Sequence, residues 1–165
     1  MDFEYYLNKF NKAADAIHKK ELSRKHLEKD VGVVLDSVFL KLYKPAWTND
    51  LNNPLNAEAR IFFSIWINDK TIEEGKLYYN IHAFKLRKLK GHAIASKKFA
   101  ERFREQFKYF QSNWKNVSIS FGPLTLMEGW IELDENNIEK NVLSLANNFL
   151  EIDFLIDNVL KTFEK

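Results

Sequence analysis

Ile61-Phe62-Phe63-Ser64-Ile65-Trp66-Ile67-Asn68 and Leu77-Tyr78-Tyr79-Asn80-Ile81-His82-Ala83-Phe84 decide the fold. In each stretch one set of alternate residues is apolar or aromatic: Ile61, Phe63, Ile65 and Ile67, then Leu77, Tyr79, Ile81 and Ala83. The other set mixes rings with polar groups: Phe62, Ser64, Trp66 and Asn68, then Tyr78, Asn80, His82 and Phe84. A period of two is the signature of an extended strand. The polar connection between them contains Gly75, so the two strands are expected to form an antiparallel hairpin.

On the N-terminal side, Val31 to Tyr43 is β-rich and alternating, which predicts one strand over about residues 32–43, ended by Pro45. Residues 45–57 hold two prolines and four asparagines. That composition reads as a long loop, a candidate functional or mobile segment. On the C-terminal side, Val117, Ile119 and Phe121 alternate with serines before Gly122-Pro123, and a second β-like run covers 124–133. Two further strands are expected there.

Helices fill the rest. Phe3, Leu7, Phe10, Ala14 and Ile17 recur at helical spacing behind Asp2, a plausible N-cap. Ser96 suits the N-cap of a central helix over about 96–112, with a stripe of Phe99, Phe103, Phe107 and Phe110. A final helix follows Asp134 or Asn136, carrying Ile138, Val142, Leu145, Phe149, Ile152, Ile156 and Val159. The expected architecture is a single α+β domain over 1–165, with a mainly antiparallel sheet of about five strands and long N-terminal, central and C-terminal helices, in the order α-β-β-β-α-β-β-α.

The chain has 165 residues, 45% hydrophobic and 29% charged, with a net charge of +2. That composition is globular, and the low hydrophobicity and lopsided charge of a disordered chain are missing. No cysteine is present, which removes disulfides, thiolate catalysis and Cys-based metal sites. No cofactor and no metal site is expected. The absence of a signal-like N-terminus and of long apolar runs makes a cytoplasmic location, with no membrane association, the expectation.

Two surfaces attract attention. The first is the mixed strand face, where Trp66, Tyr78, Asn80 and His82 resemble the lining of a small-molecule site, rings with a few placed polar groups. His82 is the candidate acid or base within it. A sheet has only two faces and three long helices need cover, so the expectation is that a helix packs on this face too.

The second surface is basic. Lys85, Arg87, Lys88, Lys90, Lys97, Lys98, Arg102 and Arg104 are opposed within their segment by Glu101 alone. These cations, running into the start of a helix, would suit an anionic partner or a nucleic-acid backbone. A solvated charged surface explains them equally simply.

Templates of other kinds are missing: no G-x-S-x-G, Walker A, G-x-G-x-x-G or H-E-x-x-H occurs. The functional expectation is therefore a non-catalytic binding or interaction domain, using the basic segment 85–104 or the aromatic sheet face for a protein partner or a second copy. The alternatives are a small-molecule-binding protein or enzyme built around Trp66, Tyr78, Asn80 and His82, and a nucleic-acid-binding protein.

Overall fold

In the computed structural model, which describes residues 1–165, five strands form one antiparallel sheet in the order β1-β2-β3-β4-β5. The strands are β1 (Glu28–Val34), β2 (Ser37–Tyr43), β3 (Arg60–Ile67), β4 (Lys76–Phe84) and β5 (Thr125–Glu132). Around them lie α1 (Phe3–Ala16), α2 (Lys19–Arg24), α3 (Asp69–Glu73), α4 (Ser96–Phe107) and α5 (Ile138–Lys161). The α+β class, the antiparallel sheet and the general order of elements agree with the sequence reading.

Element boundaries differ in instructive places. Residues 28–43 form a tight hairpin and not one strand: Val34 pairs with Ser37, and Leu35 and Asp36 make the turn with φ of 47° and 64°. Two successive positive φ values match the twist of the flanking strands. At the other end, residues 117–121 contribute only a bridge between Ser118 and Glu128. Beyond it the chain is held by a side chain: the Arg104 guanidinium donates to the carbonyls of Phe121, Gly122, Thr125 and Leu126 at 2.9–3.1 Å.

The helix starts show similar adjustments. Asp2 caps α1, accepting from the Tyr5 amide at 3.0 Å. In α4, Ser96 is the first helical residue and Ala95 occupies the cap without a side-chain hydrogen bond. The preceding segment is fixed instead by the C-terminal residues, with Ala93 N donating to Phe163 O and Lys165 N to Gly91 O.

One contiguous core of 42 buried residues lies between the sheet and the helices. Ile61, Phe63, Ile65, Ile67, Leu77, Tyr79, Ile81 and Ala83 all belong to it, as the alternation requires. Phe149 of α5 stacks on Phe63 with centroids 4.6 Å apart and meets Trp114 at 4.8 Å. Opposite Tyr79 only glycine fits: a Cβ on Gly129 would come within 2.5 Å of the Tyr79 ring carbon that bears the hydroxyl.

α1, α4 and α5 all pack on this one side, which corrects the expectation of a helix on the mixed face. The reason is chemical. Across β2 to β5 the centre of the second face carries Lys41, Ser64, Asn80 and Glu128 in register. A helix laid there would strip water from two charges and two polar groups. The segment 45–57 is also less free than its composition implies: Trp47 is fully buried, and its indole N–H donates to Asp157 at 2.8 Å.

Candidate functional site on the uncovered sheet face

Phe39, Tyr43 and Phe62 are buried yet stand outside the main core, because they point away from the helices. Cross-strand pairing sets them in rows with their neighbours. One row is Gly32, Phe39, Trp66, Tyr78 and Trp130; the next is Asp30, Lys41, Ser64, Asn80 and Glu128; a third joins Phe62 to His82 and Thr125; a fourth pairs Arg60 with Phe84.

Rings and cations interleave on this surface. The Lys41 ammonium lies 4.4 Å from the Phe39 ring centroid and 4.7 Å from that of Phe62. The Arg60 guanidinium lies 5.0 Å from the Phe84 centroid and 5.7 Å from that of Phe62. Such contacts stabilise a cation by about 0.5–2 kcal/mol but satisfy none of its N–H donors. Neither side chain forms an ion pair with a carboxylate. Arg60 Nη1 donates to Ala57 O, while its buried Nε has no partner. Burial, with the neighbouring Arg60 charge, holds Lys41 below its ordinary pKa.

Asn80 sits at the middle of the sheet, 2% exposed. Its amide donates to Glu128 Oε1 at 3.1 Å, and its Oδ1 has no partner. His82 rests beside it, its ring 5.1 Å from that of Phe84 and its Nδ1 3.3 Å from the Thr125 hydroxyl. Burial lowers the His82 pKa, and the Lys41 and Arg60 charges lower it further. The imidazole is therefore neutral at pH 7, a partner for hydrogen bonding more than a third cation.

These side chains line a depression of about 400 Å³ that also includes Val34, Leu35, Trp66 and Asn68. Three of the four residues expected from sequence, Trp66, Asn80 and His82, meet in it. Tyr78 stands at its flank, stacked on Trp66 at 5.0 Å. Lys41, Arg60 and Glu128 are the members that sequence reasoning passes over. Their signal was present: Lys41, Arg60 and Glu128 stand two residues from Phe39, Phe62 and Trp130, at outward positions of their strands.

A larger hollow of about 740 Å³ lies where Asn113–Asn116 meet the end of β5 and α5. Two of its four asparagine amides join parts of the chain: Asn116 Nδ2 donates to Trp130 O at 3.1 Å and Asn148 Nδ2 to Asn113 O at 3.4 Å. Size alone does not make it the better site, because no buried group there lacks a partner.

The basic segment is dispersed. Lys85 and Lys88 both pair with Glu58, at 3.1 and 2.7 Å. Arg102 donates to Thr162 at 2.8 Å and covers the Phe163 ring. Arg87, Lys90, Lys97 and Lys98 are exposed. No group of acids and histidines is arranged to hold a metal ion, and no helix is long and apolar enough to cross a membrane. Comparison with known proteins finds no matching family model, curated protein or solved structure.

Proposed function

We propose that this protein is a binding module whose ligand lies on the uncovered face of its sheet, in the depression bounded by Phe39, Lys41, Arg60, Phe62, Asn80 and His82. One observation carries the reading: a buried amide oxygen, that of Asn80, belongs to the lining of the depression and has nothing to accept from. Leaving such a group unpaired costs about 1–3 kcal/mol, which a bound donor recovers. The volume suits a small molecule, and the lining combines rings with a few convergent polar groups. A cytoplasmic setting suits a chain without cysteine.

Among the first expectations, the sheet face is favoured over the basic segment, whose Lys85 and Lys88 already share a carboxylate. No catalytic step is assigned to His82, since its ring meets the Thr125 hydroxyl only at 3.3 Å and no carboxylate hydrogen-bonds to it to make it a stronger base. The test is amide chemical-shift mapping against a fragment set of aromatic acids, aromatic amines, phosphates and neutral heterocycles. Binding should perturb residues 39–41, 60–66 and 80–84 together. Perturbation confined to 85–104 would transfer the function to the basic segment.

A further inference from the structure

Lys41 and Arg60 differ from the buried and half-buried lysines that pair with carboxylates. Lys44 is met by Asp153 and Asp157 at 2.9 and 2.6 Å, and Lys25 by Asp153 at 3.0 Å. Lys41 and Arg60 share one depression, are held by ring faces, and have no anion. We infer that the depression is a site for a small planar aromatic monocarboxylate, with its carboxylate between Lys41 and Arg60 and a hydroxyl or N–H donated to Asn80 Oδ1. This rests on the reading of the uncovered face as the binding surface.

Each part of the ligand answers a feature of the site. A carboxylate supplies acceptors to the idle donors of Lys41 and to Arg60 Nη2, the guanidinium nitrogen neither buried nor bonded to Ala57, in surroundings where charge-assisted hydrogen bonds are strong. A single negative charge is favoured over a polyphosphate because Glu128 lies in the same depression, bonded to Asn80. The flat apolar body follows from the walls, where Phe39, Phe62, Phe84 and Trp66 leave a shallow space between rings. The donor follows from the free oxygen of Asn80.

Stacked nucleobases are the competing occupant of an aromatic sheet face. Ring geometry argues against them. Trp66 and Tyr78 are 5.0 Å apart at 24°, and His82 and Phe84 are 5.1 Å apart at 24°. Flat, coplanar rings at that spacing would overlap, so these rings tilt out of the sheet plane and pack on one another. They offer edges where a base needs a free face.

The decisive experiment uses three probes, 6-hydroxy-2-naphthoate, its neutral carboxamide and 2-naphthoate, in calorimetry and amide shift mapping on the full chain. The hydroxynaphthoate should bind at residues 39–41, 60–66 and 80–84. Removing one charge-assisted contact is worth roughly tenfold in affinity, so the carboxamide should bind about tenfold more weakly, as should hydroxynaphthoate to Lys41→Met or Arg60→Met. Loss of the neutral donor should cost 2-naphthoate about threefold to tenfold. Lys41→Met preserves the apolar stem and Arg60→Met much of it, and unchanged melting temperatures verify the fold.

Equal binding of 6-hydroxy-2-naphthoate and its carboxamide at the face would overturn the anion site while leaving the face as the binding surface. Shifts confined to 85–104, or none with any probe, would overturn it. A ten-nucleotide oligothymidylate that perturbs the face when the naphthoate does not would overturn it in favour of nucleic acid. Fragment mapping with no response on the face would remove the underlying reading as well.

Discussion

Phe62 and Phe63 are adjacent in β3 and almost equally hidden, at 5% and 1% exposure, but their environments differ in kind. Phe63 is enclosed by the helix layer and stacks on Phe149. Phe62 is hidden only by its neighbours on an uncovered face, the Lys41 and Arg60 heads and the rings of His82 and Phe84. Fractional burial therefore does not report which side of a sheet stabilises the fold. Truncating Phe63 to alanine leaves a closed cavity and should cost about 3–5 kcal/mol in urea denaturation. Truncating Phe62 opens a gap that water can fill, and should cost about 1–2 kcal/mol from lost apolar burial. Equal losses would break the contrast between the two faces.

Two lysines, Lys41 of β2 and Lys44 just after it, sharpen the same contrast. Lys44 turns to α5, where it meets Asp153 and Asp157 beside the Trp47 indole, and those hydrogen bonds raise its pKa despite burial. Asp153 is 3% exposed and also receives Lys25. Lys44→Met strands buried carboxylate charge and should destabilise by about 2–3 kcal/mol, toward the range for breaking a buried pair. Lys41→Met strands nothing and should fall within about 0.5 kcal/mol of the native protein. Chemical denaturation of the two variants side by side measures the difference.

His82 extends the comparison to pH. Its folded pKa lies below the ordinary 6.5, chiefly through burial, which outweighs an opposing backbone hydrogen bond with Leu124 and is helped by the Lys41 and Arg60 charges. Below about pH 6.5 the unfolded chain takes up a proton that the folded chain resists, so stability is present above that pH and falls as pH drops toward the folded pKa. His82→Gln should lose less stability than the native protein between pH 7 and 5, read from paired melts. An anion bound at Lys41 and Arg60 should raise the His82 pKa in an NMR titration, because it offsets the charges that lower it.

Much of this was legible in the strands and little of it in the connections. Alternation in Ile61–Asn68 and Leu77–Phe84 separates the two faces residue by residue, because a pleated strand leaves no choice. Which face the helices take is not written in that pattern, since both carry large rings. It is decided by two charges and two polar groups in register across four strands, and Lys41 enters that register only once 28–43 is known to be a hairpin. The turn that makes it so, Leu35-Asp36, lacks the Asn-Gly or Asp-Gly signal by which such turns are read. The single bridge at Ser118 was hidden for a similar reason, because Arg104, a distant side chain, takes carbonyls that a strand would have paired.

Leu35 connects the turn to the site. It is 92% exposed, left-handed at φ 47°, and borders the depression together with Val34. A leucine gains nothing from water or from that backbone conformation, whereas asparagine tolerates both. Other breaches of local rules gather on the same face: the cations of Lys41 and Arg60 without an anion, and the Asn80 oxygen without a donor. Both buried polar atoms that lack a partner, Arg60 Nε and Asn80 Oδ1, belong to this face, and such breaches concentrate where function outweighs stability. Leu35→Asn should therefore raise stability slightly, by about 0.5–1 kcal/mol in thermal melts, since an L-residue in the left-handed region carries about 1–2 kcal/mol of strain. It should also weaken 6-hydroxy-2-naphthoate about twofold to threefold through lost apolar contact at the rim. A stabilised variant with unchanged affinity would separate the turn from the site and leave the exposed leucine without a function on this face.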